Sequence, residues 1–282
     1  MNTHCFENGN VRMVAGRHGH FLFNKNDLFI GRSLETYGEW SEPCIALLLK
    51  CLSLGDTVLD VGANIGTFTV PFAKEVGETG NVHGFEPQRS AYQFLCANLA
   101  LNEIQNATVH NAGVGNSNGS IDVPVLDPGV PQNFGALSLS ATSEGDPVRL
   151  ITVDSLMLEA CRLIKIDVEG MEGNVLDGAA NTIRRLQPLM FVENNSIDGA
   201  QSIIQKILDF DYQAWWVVTN YFNPQNFFGE CENIFDCIQP AADMFCVPAG
   251  LDADIRGLEP VLGVDDHWKA AAERIVARQK TA

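Results

Sequence analysis

The chain has 282 residues, 46% of them hydrophobic, enough for a sizeable buried core in one large or two small domains. A net charge of −17 argues against a binder of phosphate backbones, which needs clustered Lys and Arg. The longest aliphatic run, Ile45 to Leu49, stops at Lys50 and is far too short for a bilayer, and the polar start MNTHCFENGN shows no apolar leader, so a cytoplasmic protein without membrane partners is expected.

The eight cysteines form no CxxC and have no His pair at zinc spacing, so they read as reduced, partly buried small hydrophobes. Two alternating segments, Val11–Ala15 and Phe21–Phe23, flank Arg17-His18-Gly19-His20 and predict a hairpin. His18 and His20 are metal ligands on one reading and a solvated turn on the other. Tyr37, Glu39 and Trp40 follow, either an aromatic corner or a cover for a ligand. Ser41 can cap a helix that has Pro43 in its first turn, with Ile45, Leu48, Leu49 and Leu52 on one face.

Thr57 to Val61 is a short β-branched run containing Asp60, and Gly62, Ala63, Asn64 and Gly66 come next. This predicts a strand, a tight small-residue turn and a helix, with backbone passing close to a ligand. Asn81–Pro87 reads as a second strand ending at Glu86, 20 positions after Gly66, where a nucleoside site wants a carboxylate for ribose hydroxyls. Ala107–Ala112 reads as a third strand. Residues 115–150 are irregular, with short strands at Ile121–Val125 and Arg149–Val153, and Asn133–Ala136 a loop over the site. Arg162 to Gly170 contains a buried strand ending at Asp167, and Glu172–Leu186 a helix. Leu189 to Asn195 is a further strand, and Gln213–Thr219 and Asp243–Val247 complete the core before a final helix on Trp268, Ala271, Ala272, Ile275 and Val276. The alternation predicts an α/β fold, a mostly parallel sheet with helices on both faces. Asp60, Glu86, Asp167 and Glu193 should then face one sheet edge. Residues 1–52 read as an N-terminal addition of hairpin and helix, 53–250 as the core and 251–282 as a helical tail.

Four segments in order, YGEW, VLDVGANIGTFT, GFEP and LIKIDVEGMEGNVLDGA, make residues 36–250 resemble the FkbM-type methyltransferases. The resemblance implies a class I, Rossmann-like fold, with a seven-stranded sheet whose last strand is antiparallel. It implies S-adenosylmethionine as the methyl donor and a small-molecule or glycan-like acceptor, most often a hydroxyl and in some members a nitrogen. Carried over, Asp60, Gly62, Ala63, Asn64 and Gly66 would line the methionine part of the donor, Glu86 would hold the ribose, and backbone around Asn111 to Gly113 would border the adenine. Apart from the resemblance, Glu39 would close over the donor if residues 37–40 are a ligand cover rather than an aromatic corner.

A hydroxyl acceptor must lose a proton, and Asp167 is the candidate base, with Glu169 beside it. The structural alternative is a helix cap for Asp167 and a helix-dipole site for Glu169 and Glu172. Asp167, Glu193 and Asn194 also match the residue classes that bind Mg²⁺ in the catechol O-methyltransferase type of class I enzyme. Trp215 and Trp216, adjacent in a strand, should point to opposite faces. Residues 220–240, including Phe227-Phe228, carry no family motif and are the expected seat of substrate choice. A nicotinamide dehydrogenase fits less well, because Gly62 to Gly66 gives G-x-x-x-G rather than G-x-G-x-x-G. A donor-binding module without turnover is the non-enzymatic alternative.

Overall fold

The computed structural model describes residues 4–136, 145–251 and 255–279. Part of the irregular 115–150 stretch, residues 137–144, therefore lies outside the described residues. The chain opens with an antiparallel sheet of β1 (His4–Asn8), β2 (Val11–Gly16) and β3 (Gly19–Asn24). This is the expected hairpin with one strand added in front. Helix α1 (Ile30–Tyr37), an addition to the expected elements that buries Ile30, Leu34 and Tyr37 on one face, starts where the Asp27 carboxylate accepts from Phe29 N and Gly31 N, both at 3.0 Å. Helix α2 (Glu42–Leu49) follows with Pro43 in its first turn. Ser41 sits there in a left-handed conformation, and its side chain makes no capping bond.

The core alternates β4 (Thr57–Val61), α3 (Thr69–Val76), β5 (Asn81–Phe85), α4 (Arg89–Leu101) and β6 (Ala107–His110), then resumes with β10 (Leu163–Ile166). Between β6 and β10, β7 (Ala112–Val114), β8 (Gly119–Val123) and β9 (Asp146–Ile151) form a small separate sheet. The expected single strand 107–112 thus breaks at Asn111, whose amide donates to the carbonyls of Glu86 and Pro87, each at 2.9 Å. Next come α5 (Glu172–Gly178), α6 (Ala180–Leu186), β11 (Leu189–Glu193), α7 (Ile197–Asp209), β12 (Tyr212–Thr219), β13 (Ala241–Pro248), β14 (Glu259–Pro260) and α8 (Trp268–Gln279). The expected helix 172–186 is two helices. At their junction the Asp154 carboxylate receives Asn181 N and Thr182 N and caps the second. The apolar stripe Val175, Leu176, Ala179, Ile183 is buried across the break, so periodicity alone could not reveal it.

The large sheet runs β14-β12-β13-β11-β10-β4-β5-β6. Strands β11, β10, β4, β5 and β6 are parallel, and β13 is antiparallel to both its neighbours. This is the class I arrangement of seven strands with the last one reversed. The two-residue β14 makes an eighth strand at the edge. Central strands bury both faces, as parallel sheets must. Leu59, Val61, Ile164, Ile166, Met190 and Val192 serve one face, while Val58, Leu163, Leu189 and Phe191 serve the other with α2 and α3. That second face opens into the site at the C-terminal ends of the strands. No helix among the described residues is long and apolar enough to cross a membrane.

Candidate active site

The turn after β4 is held from below. Asp60 is fully buried, accepts from Thr69 Oγ1 at 2.6 Å and lies 3.5 Å from Lys165 Nζ. It therefore faces the next helix and strand and is not among the residues that border the cleft. Gly62 has φ +81°, and a Cβ there would stand 1.7 Å from Asp167 O. Asn64 is also left-handed. The amides of Gly62 and Ala63 both donate to Phe85 O, that of Gly66 to Ala63 O, and that of Asn64 to Glu86 Oε2 at 2.9 Å. The turn thus offers a ligand close backbone approach more than free N–H donors. Gly66 faces Leu95 of α4 and, unlike Gly62, Ala63 and Asn64, does not border the cleft.

Glu86, just past β5, is buried and borders the same cleft. Its second oxygen accepts from Gln88 N at 2.8 Å. Burial pushes its pKa up to about 7, although both backbone donors and Lys165 favour the carboxylate. Asn111 gives its amide to the loop backbone, and of the expected 111–113 border Ala112 and Gly113 line the cleft. Gln88 Nε2 holds Phe134 O at 3.0 Å, which places the expected 133–136 loop on the wall.

The opposite wall is acidic. Asp167, Glu169, Glu193 and Asp243 all border the cleft, and Lys165 is the one cation among its described lining residues. Lys165 Nζ donates to Gly62 O at 2.9 Å and sits 3.2 Å from Asp167 Oδ2. Burial alone would lower its pKa, but Asp167 and Asp60 outweigh that and hold it above its ordinary value. Burial, and then Asp167 and Glu172, push Glu169 up to about 8. Burial and the Asp167 charge hold Asp243 well above the carboxylate range, and burial with the neighbouring acids does the same for Glu193. Oxygens of Asp167, Glu169 and Glu193 come within 4.8 Å of one another.

Asn194 does not join them. Side chains alternate faces along a strand, so Glu193 reaches the cleft while Asn194 is buried behind the sheet, 3.4 Å from Ala200 O and 3.6 Å from Met244 Sδ. Glu172 also turns away, its Oε1 accepting from Val168 N and Gly170 N. Glu39 is committed elsewhere too: its carboxylate accepts from Arg17, Asn223 and the Phe227 amide, and it does not border the cleft. Trp40 does, stacked on Tyr221. His18 bonds Glu42 at 2.6 Å and belongs to the surface rather than the cleft. Two lining residues have no sequence signal of their own as site residues. Lys165 reads as part of a strand, and Asp243 opens a strand candidate; pairing with Glu193 across β11 and β13 brings Asp243 to the site.

A strand, a small-residue turn, a carboxylate after the next strand and an acid after the fourth meet in one cleft, in the order the family motifs have. The model of the Methyltransferase FkbM domain matches residues 60–214. The chain belongs to this family. No curated protein sequence matches it. Among solved structures, it is similar to a methyltransferase FkbM from Methylobacillus flagellatus KT (TM-score 0.44, 18% identity, 69% of this chain and 44% of that one). Others are Trm5b from Pyrococcus abyssi (0.48, 12%, 86% and 56%) and the O-methyltransferase TomG from Streptomyces achromogenes, involved in tomaymycin synthesis and solved with SAM (0.44, 13%, 74% and 81%). The match spans less than half the length of the Methylobacillus chain. The family is one of methyltransferase domains.

Proposed function

We propose that the chain methylates a hydroxyl of a small-molecule, sugar or natural-product acceptor. One observation carries this reading: an acid wall, Asp167 with Glu169, shares a cleft with the donor turn and rests on it through Gly62. The donor fits the other wall by the chemistry on offer. Gly62, Ala63 and Asn64 admit close approach, Glu86 has carboxylate lone pairs for ribose hydroxyls, and Ala112 and Gly113 give a small-residue border for a flat base. S-adenosylmethionine brings a methyl group already activated on a sulfonium, so the protein's main task is to hold the acceptor in line. Asp167, with Glu169 beside it, takes the hydroxyl proton.

Calorimetry with S-adenosylhomocysteine and with NAD tests the donor assignment, and binding of NAD alone would overturn it. Transfer assayed against sugars, polyketide-like alcohols and peptides tests the acceptor class. Turnover confined to peptides or amines moves the reading to nitrogen, and S-adenosylhomocysteine binding with no turnover on any acceptor leaves a donor-binding module. Asp167→Asn should lower turnover by about 10²–10⁴-fold with S-adenosylhomocysteine affinity within about threefold.

The spacing of Asp167, Glu169 and Glu193 favours a second reading, in which the three carboxylates hold a hard divalent cation such as Mg²⁺. Glu169 then takes the place expected for Asn194. Turnover unchanged by EDTA and by added Mg²⁺ would sink it.

A further inference from the structure

The donor contacts proposed above leave Tyr37, Gly38, Glu39 and Trp40 unused. All four grip the loop from 221 to 235 that joins β12 to β13. Tyr37 Oη donates to Glu232 O at 2.9 Å and accepts from Ile234 N at 2.8 Å. Gly38, at φ +71°, leaves no room for a Cβ, which would stand 2.8 Å from the Phe228 ring. Trp40 stacks on Tyr221 with centroids 5.3 Å apart and planes 24° from parallel.

Glu39 is the centre of this grip. It is 5% exposed. Its two oxygens take Arg17 Nε at 2.7 Å from the hairpin, and Asn223 Nδ2 at 2.8 Å and Phe227 N at 2.9 Å from the loop. A buried carboxylate with charge-assisted bonds to two segments remote from it in sequence fixes their relative positions. What it fixes is functional surface, because Trp40 and Tyr221 border the cleft on the side of Glu193 and Asp243.

We propose that Glu39 is a positioning residue that clasps loop 221–235, and that the Tyr221 ring it sets against Trp40 is a specificity-determining wall for the acceptor. The inference rests on the methyltransferase reading and adds a substrate class: an acceptor with a flat ring face, a sugar or an aromatic, packing on Tyr221 while its polar edge meets the acids. Glu39 is thereby an acceptor-side residue, not a donor contact.

Glu39→Gln tests this, since it keeps the size, removes the charge and turns one acceptor atom into a donor facing donors. Amide exchange across residues 222–230 should speed up at least tenfold while exchange in β4 and β5 is unchanged. S-adenosylhomocysteine affinity by calorimetry should stay within threefold, and acceptor KM should rise at least tenfold with kcat within threefold. Tyr221→Ala should raise KM similarly, and Tyr221→Phe should restore it. Should Glu39→Gln not fold, Asn223→Ala removes one loop-side bond and is read the same way. Unchanged exchange in the loop, or S-adenosylhomocysteine affinity lost along with it, overturns the proposal. Failure of the wild-type chain to bind S-adenosylhomocysteine strikes the methyltransferase reading instead, and the exchange result still decides the clasp.

Discussion

Glu86 carries the clearest pH dependence in the donor half of the cleft. Its carboxylate accepts one backbone N–H on each oxygen and has lone pairs left for a ligand, while burial raises its pKa to about 7. The sign follows: below that pH the group is protonated and offers fewer acceptor lone pairs, so affinity for S-adenosylhomocysteine should fall as pH drops from 8 to 6. The slope is at most about tenfold per pH unit for one proton, and a flat calorimetric profile would remove Glu86 from the ribose role. Gly62 is constrained by two independent features, a left-handed backbone and the carbonyl of Asp167 at 1.7 Å from any Cβ. Gly62→Ala should cost about 2 kcal/mol or more, because a side chain there forces both strain and a shift of strand β10's exit. Thermal unfolding would register the loss, and S-adenosylhomocysteine binding should go with it. The need for glycine here was legible in the sequence. That its obstacle is the backbone of Asp167 was not, since the two lie on different strands.

Helix α8 shows how an element far along the chain supports the cleft. Trp268 is 6% exposed, and its Nε1 donates to Asn195 O at 2.8 Å. Asn195 Nδ2 in turn bonds Glu193 Oε1 at 2.7 Å. The helix is also tied to the sheet edge by Arg274, which bonds Glu259 at 2.6 Å and Asp266 at 2.8 Å. Trp268→Ala should destabilise by about 3–5 kcal/mol, the usual cost of emptying a large aromatic site. Denaturant midpoints would show it, and a loss under 1 kcal/mol would mean that the helix is not docked as described. The apolar stripe of α8 was readable from residues 268–276. Its partners, the edge strands β12 and β14, were not, because a stripe states that a face is buried without stating against what. The split of α5 from α6 has the same cause: the capping carboxylate, Asp154, belongs to a turn remote from both helices in sequence.

Across the whole molecule, the excess of acids is the dominant long-range term. A net charge of −17 opposes compaction by self-repulsion, and salt screens that repulsion over about 10 Å at 0.1 M. The melting temperature should therefore rise when NaCl increases from 20 to 200 mM; a fall would show that attractive pairs, such as those of Arg274, outweigh the repulsion. The sequence by itself determined the α/β class, the mostly parallel sheet with its last strand reversed that the family resemblance implies, and the strand-end turns and acids around the cleft. Those properties follow from local periodicity and from glycines and acids at fixed places along the chain. Only the tertiary structure decided which side chains face that cleft. Asp60 and Asn194 share segments with true lining residues, yet pleat and depth turn one under the turn and the other behind the sheet. Lys165 and Asp243 enter it because sheet pairing sets them beside Asp60 and Glu193. Glu39 does not border the cleft, because its partners come from the hairpin and from a loop some 180 residues onward, as in the 184-residue separation of Asn223. Residues brought together by long-range pairing leave no periodic mark in the chain, and that is the physical limit on what could be read from it.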